Sequence, residues 1–212
     1  MAIVAKGNGG ERDLIPADTY PAVCTRLIDI GIQRGNQYGD KHQIIICWEI
    51  PSVTIDIEVD GIKQPMPRMV SNFYNLSIGA KSTLGKHLES WRGRPFTDEE
   101  RAGFDLKAIL GAPCMLQIVH NENAKGETRE KVYHVMKLMQ GIEAPKPATE
   151  LIYLDWESND FEKTLSKLPE WQVKLVKQAT NYGSKDSSKP LDSQDGQSYF
   201  EEVELSDGDL PF

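Results

Sequence analysis

From His42 to Ile50 the chain reads HQIIICWEI, and every second residue is large and apolar. Ile44, Ile46, Trp48 and Ile50 share one face of an extended segment, and Gln43, Ile45, Cys47 and Glu49 share the other. Period-two alternation of this kind, rich in β-branched residues, fits a pleated sheet and does not fit a helix. It recurs along the chain. TYPAVCTRLIDIGIQ (19–33) is a long strand, with Gly31 marking a bend or bulge late in it. Pro51 breaks the pattern of the second strand. Beyond it VTIDIEVDGIKQP alternates again, with Val53, Ile55, Ile57 and Val59 on one side and Asp60-Gly61 as a hairpin signal. RMVSNFYNLSI (68–78), CMLQIVH (114–120) and KVYHVMKLM (131–139) complete the set of strands.

Between the third and fourth strands the period changes. STLGKHLESWRG places Leu84, Leu88 and Trp91 at helical spacing, and Gly93 closes the helix. Thr97 and Glu100 in TDEE form a capping box, and DLKAILGAP adds a short helical turn. Three strands, a helix and two strands is the order of a five-stranded OB-fold barrel. The expected fold is therefore mainly β: an OB-fold barrel with its helix between strands 3 and 4, an added hairpin at 53–60 and a C-terminal helical appendage.

Composition shifts divide the chain. Residues 1–17 read as a flexible N-terminus, 18–141 as the barrel, and 142–181 as a linker (EAPKPATE) followed by the helical appendage. There Pro169 opens a helix whose stripe is Trp171, Leu175, Val176 and Ala179. Residues 182–212 are polar, then acidic, and read as a disordered tail. Net charge is −8, and residues 192–212 hold seven acidic residues and no basic one. The barrel itself is balanced and is free to carry a local basic groove.

Reactive chemistry is sparse. The three cysteines, Cys24, Cys47 and Cys114, lie far apart in apolar runs and read as buried reduced thiols. The four histidines have no ligand spacing; His120 and His134 read as ordinary strand residues. No phosphate-cradling loop or nucleophile elbow is present. Asp56, Glu58 and Asp60 share one strand face, which reads as a solvated hairpin rather than a Mg²⁺ site. No catalytic residue, metal or cofactor is expected, and no apolar run is long enough to span a bilayer.

What remains is cations interleaved with aromatics. Unpaired nucleic acid needs Lys and Arg for its phosphates and flat rings for its bases. Arg34, Tyr38, Lys41 and His42 supply these in the first loop, Arg68 and Phe73 on the third strand, and Arg129, Lys131, Tyr133 and Lys137 in the last hairpin. On the third strand Val70, Tyr74, Leu76 and Ile78 are expected inward, leaving Phe73 outward as a stacking platform. On the last strand Val132, Met136 and Leu138 are expected inward, with Lys131, Tyr133 and Lys137 outside. Trp48 and Trp91 are assigned to the core and Trp171 to the appendage.

The final stretch DGDLPF, preceded by YFEEVELS and a polar linker, resembles the C-terminal peptide of bacterial and bacteriophage single-stranded DNA-binding proteins. The matching residues are Asp207, Asp209, Leu210, Pro211 and Phe212. WEI, LESWRGRPFTDEE, GAPCMLQIVHNENAKG and LPEW resemble a phage-encoded group of the same proteins. The resemblance implies an OB-fold that coats single-stranded DNA in replication, recombination or repair. It also implies an acidic tip that recruits polymerase, helicase, primase or exonuclease partners in the bacterial cytoplasm. It further suggests that the acidic segment folds back on the basic groove until DNA displaces it. The helical appendage and the missing Gln-rich linker depart from the common bacterial form and leave its tetramer open. An RNA-binding module, a metal-dependent nuclease or annealing protein, and a pure adaptor remain as alternatives.

Overall fold

A computed structural model describes residues 14–35, 39–59, 62–123 and 126–183. The molecule is mainly β. Five long strands, β1 (Thr19–Gln33), β2 (Lys41–Val59), β3 (Ile62–Asn75), β4 (Pro113–Glu122) and β5 (Thr128–Met136), form an antiparallel sheet in the order β3-β2-β1-β4-β5. The sheet curls into a half-barrel. Its two outer strands approach without backbone pairing, and Arg68 on β3 reaches Glu130 on β5 at 3.3 Å.

Alternation places the first core. Ile44, Ile46, Trp48 and Ile50 of β2 are all buried, as their spacing predicts, beside Cys24 and Leu27 of β1 and Leu116 and Ile118 of β4. Helix α1 (Thr83–Arg92) closes this core with Leu84, Leu88 and Trp91. Ser82 caps its first turn, and Gly93 ends it in the left-handed conformation. A second short helix, α2 (Asp98–Ala102), carries the predicted capping box between Thr97 and Glu100. Arg94 binds both carboxylate oxygens of Glu100 at 2.9 and 2.7 Å, and Arg92 joins the same carboxylate. Arg92 also lies over the Phe96 ring, 4.5 Å from its centre. Much of LESWRGRPFTDEE thus builds a cap over the barrel end.

Pro51 does not end the second strand. β2 continues to Val59 through a register irregularity between Ile50 and Thr54 that absorbs the proline. The part of the expected 53–60 hairpin that is described, residues 53–59, is therefore an extension of the β2–β3 hairpin. Pro65 and Pro67 face it on β3, an edge strand, where a missing N–H is tolerated and outside pairing is blocked.

The outer face of β1 and β2 carries a second core. Ile28, Ile30, Ile45 and Cys47 are buried beneath a short strand β6 (Ile152–Leu154) and helices α3 (Phe161–Leu165) and α4 (Glu170–Gln178). β6 runs parallel to β1, opposite Arg26–Ile28, an element that period and length gave no sign of. Pro169 is the cap of α4, one residue before its expected place inside the helix. The strap leading to β6 is tied by Glu49. Its fully buried carboxylate accepts from the Ala148 N–H at 2.8 Å, the Thr149 N–H at 3.2 Å and the Thr149 hydroxyl. These donors satisfy an anion that would otherwise be costly to bury.

Gly31 shows how tightly the appendage fits. Its φ of +73° accompanies a register shift between Asp29 and Gly31. A β-carbon there would stand 2.6 Å from both Asn181 and Trp156. Gly31→Ala therefore meets left-handed strain and a steric clash together. The expected loss is about 2–4 kcal/mol of stability, read by chemical denaturation. All three cysteines are free and buried, and burial raises their thiol pKa values, that of Cys47 to about 11. Among the described residues no helix is long and apolar enough to cross a membrane.

Candidate nucleic-acid interface

The residues picked out as cations and rings separate once placed. His42 is half-buried at the start of β2, with Nε2 2.7 Å from Asp29 Oδ1. Lys41 beside it is half-buried, and Arg34 is exposed beyond the end of β1. Tyr38 lies outside the described residues, as do Asp207, Asp209, Leu210, Pro211 and Phe212. Arg68 is spent on Glu130, and Arg129 sits 3.0 Å from Glu127. Lys131 is half-buried opposite Val119.

Phe73 is a correction. It faces away from the barrel core, as the alternation requires, but the appendage covers that face. Its ring packs 6.3 Å from Trp171 of α4 in the second core. Strand period reports which side a residue is on; it does not report what a segment a hundred residues away lays over that side. Leu76 is a second correction. β3 ends at Asn75, so Leu76 escapes the alternation and is 40% exposed, while Val70 and Tyr74 are buried as expected.

β5 departs from simple alternation as well. Its register against β4 slips, with Gln117 opposite His134 and Ile118 opposite Val132, leaving Tyr133 as the extra residue of a bulge. Val132 and Val135 become the buried pair, in place of Val132, Met136 and Leu138; Met136 and Leu138 are half-buried. Consequently two adjacent rings, Tyr133 and His134, both point outward, 4.5 Å apart at an interplanar angle of 61°. Tyr133 is 52% exposed. His120 lies opposite Glu130, with its Nε2 2.7 Å from the Ile15 carbonyl, and His134 lies opposite Gln117.

A buried hydrogen-bond chain holds this bulge. His87 of α1 lies behind it, with Nε2 3.1 Å from the Tyr133 carbonyl and Nδ1 2.9 Å from the Tyr74 hydroxyl. A carbonyl only accepts, so Nε2 carries the proton, and Nδ1 accepts from Tyr74. Burial, then the neighbouring His134, lowers the His87 pKa to about 4. The neutral imidazole thus links β3, α1 and β5 across the barrel's open side.

Two exposed lysines lie on the elements that carry or back this bulge. Lys86 and Ser90 stand one turn apart on the exposed face of α1. The Lys137 amide bonds the Ser90 carbonyl at 3.1 Å, and its side chain runs past Gly93. Neither Lys86 nor Lys137 forms an ion pair among the described residues. Lys86 on α1 and Lys137 just after β5 are thus exposed on the two elements that meet at Tyr133 and His134. Of the sequence candidates, Tyr133 and Lys137 meet here. Lys86 and His134 were missed. Lys86 is brought in only by α1 docking on β5, and His134 only by the bulge.

The Mg²⁺ reading rests on Asp56, which is exposed on the β2–β3 extension, and on the side chains of Glu58 and Asp60, which lie outside those described. No family model matches the chain, and no curated protein matches it significantly.

Proposed function

We propose that this protein binds single-stranded DNA, largely without regard to sequence, through the Lys86–Tyr133–His134–Lys137 surface of an OB-fold, and that it is not an enzyme. The observation that carries the reading is the outward pair of rings at the β5 bulge, on elements that also carry Lys86 and Lys137, neither of which forms an ion pair among the described residues. A base stacked on such a ring contributes about 1–3 kcal/mol whatever its identity, and phosphates on either side meet the lysines. The strand order β3-β2-β1-β4-β5, with α1 between β3 and β4, supports the OB-fold reading. The acidic C-terminal segment, in this reading, recruits the replication or recombination proteins that act on the coated strand in a bacterial cytoplasm, the resemblance pointing to a phage-encoded protein.

Oligo-dT titration of the full chain at low salt, followed by Trp and Tyr fluorescence, tests this. The expected result is saturable quenching whose affinity falls with salt at a log–log slope of about −0.7 per neutralised phosphate. Matched RNA that binds more tightly than DNA would move the reading to an RNA module. Absence of binding to either would leave the adaptor.

A further inference from the structure

We infer that two copies of this chain form a two-fold dimer in which the free edge of β2, residues 53–57, pairs antiparallel with the same segment of the second copy. This goes beyond the proposed function and does not depend on it. β1 lies along β2 only as far as the pair Val23 and Glu49; from Val23 back to Thr19 it pairs with β4 instead. Beyond that point β2 runs on to Val59 with β3 alone. Among the described residues no other backbone group bonds residues 52–57 on the side that β1 has left. The direction of the free groups follows from the ladder. The Leu76 N–H donates to the His42 carbonyl, so the even-numbered residues of β3 turn their backbone groups toward β2. Met66 and Gln64 therefore face Ile55 and Ile57, their partners in the register, while Pro65 and Pro67 turn outward. Thr54 and Asp56 are left with N–H and C=O groups aimed at the open side.

Such an edge is a template for another strand. The β3 edge is closed to that use by its prolines, whereas residues 52–57 of β2 contain none. The ribbon also lacks support. Ile55 and Met66 share the face that carries Val70 into the barrel core, and Ile57 lies on it too, yet none of the three belongs to either core. A lone two-stranded ribbon is marginal in water, and three or more strands with an apolar face are needed for independent stability. The occupant follows from the edge itself, VTIDI. Two copies related by a two-fold axis meet through the same residues, and across a sheet edge they meet antiparallel. With the axis at Ile55, that residue lies opposite its own mate, Val53 opposite Ile57 of the second copy, and Thr54 opposite Asp56. Apolar pairs fill one face, polar pairs the other, and no like charges are opposed. An axis at Asp56 would oppose two carboxylates, an axis between residues would set apolar side chains against polar ones, and an axis at Thr54 would draw Pro51 into the ladder. With the axis at Ile55 the free groups of Thr54 and Asp56 bond each other, and a four-stranded sheet, β3-β2-β2-β3, runs through the dimer.

Sedimentation velocity of the full chain at rising concentration, without DNA, reads the assembly. The expected limit is twice the mass of one chain. Ile55→Lys sets two ammonium groups opposite each other at the axis and should hold the protein at the mass of one chain; because Ile55 lies outside both cores, its denaturation midpoint should stay near wild type. Disulfide trapping reads the register, since the three native thiols are buried. Opposite residues at a non-hydrogen-bonded position have Cα atoms about 4.5 Å apart, within disulfide reach. Under a mild thiol oxidant Ile55→Cys should therefore trap a covalent dimer, and Thr54→Cys, whose mate lies two residues along, should not. The mass of one chain at every concentration would overturn the proposal. So would a dimer that Ile55→Lys leaves intact, or trapping through Thr54→Cys as fast as through Ile55→Cys. The oligo-dT titration stands or falls separately from each of these outcomes.

Discussion

Tyr133→Ala should weaken oligo-dT binding by about 5- to 150-fold, corresponding to about 1–3 kcal/mol of lost stacking. Its stability should scarcely change, because the ring is half in solvent and its backbone carbonyl, the partner of His87, is retained. Lys86→Gln and Lys137→Gln should each lower affinity less and flatten the salt slope by about 0.7. Phe73→Ala supplies the contrast. Its ring supports Trp171 in the second core, so it should lower the denaturation midpoint and leave oligo-dT affinity near wild type. Wild-type affinity in Tyr133→Ala, or a large affinity loss confined to Phe73→Ala, would move the interface to another face.

Acidification should destabilise the fold through His87. In the folded protein its pKa is lowered to about 4, against an ordinary 6.5. Between those values the unfolded chain takes up a proton that the folded chain refuses, so stability falls as pH falls. The contribution is fully present above 6.5 and is lost progressively down through 4; its size is about 3 kcal/mol. Chemical denaturation of wild type and His87→Gln across this range measures it, and the wild-type slope should be the steeper. An NMR titration gives the same answer directly, since the His87 ring signal should not move until well below the ordinary histidine value of 6.5. Because Nδ1 would then lose its role as acceptor from Tyr74, acid should also loosen the bulge that presents Tyr133.

How much of this was legible in the chain depends on the range of the forces involved. Alternation in HQIIICWEI set the barrel face of β2 because a strand's side chains alternate by covalent geometry alone. The helix of LGKHLESW, the capping box at Thr97 and the bend at Gly31 are likewise decided within a few residues. The seven acidic residues of 192–212 and the reduced state of the three cysteines needed no fold at all.

Tertiary structure decided everything that turns on two distant segments meeting. It covered Phe73 with α4, neutralised Arg68 on Glu130, buried Glu49 as the anchor of a strap some hundred residues away, and added β6 to β1. It also slipped β5 by one residue at Tyr133, which no period-two pattern announces, because a bulge is fixed by the partner strand and by His87 behind it. Local sequence fixes the direction in which a side chain points. Whether that direction ends in solvent, in an acid or under a helix is settled only when the long-range contacts form, and it is this that separates Tyr133 from Phe73.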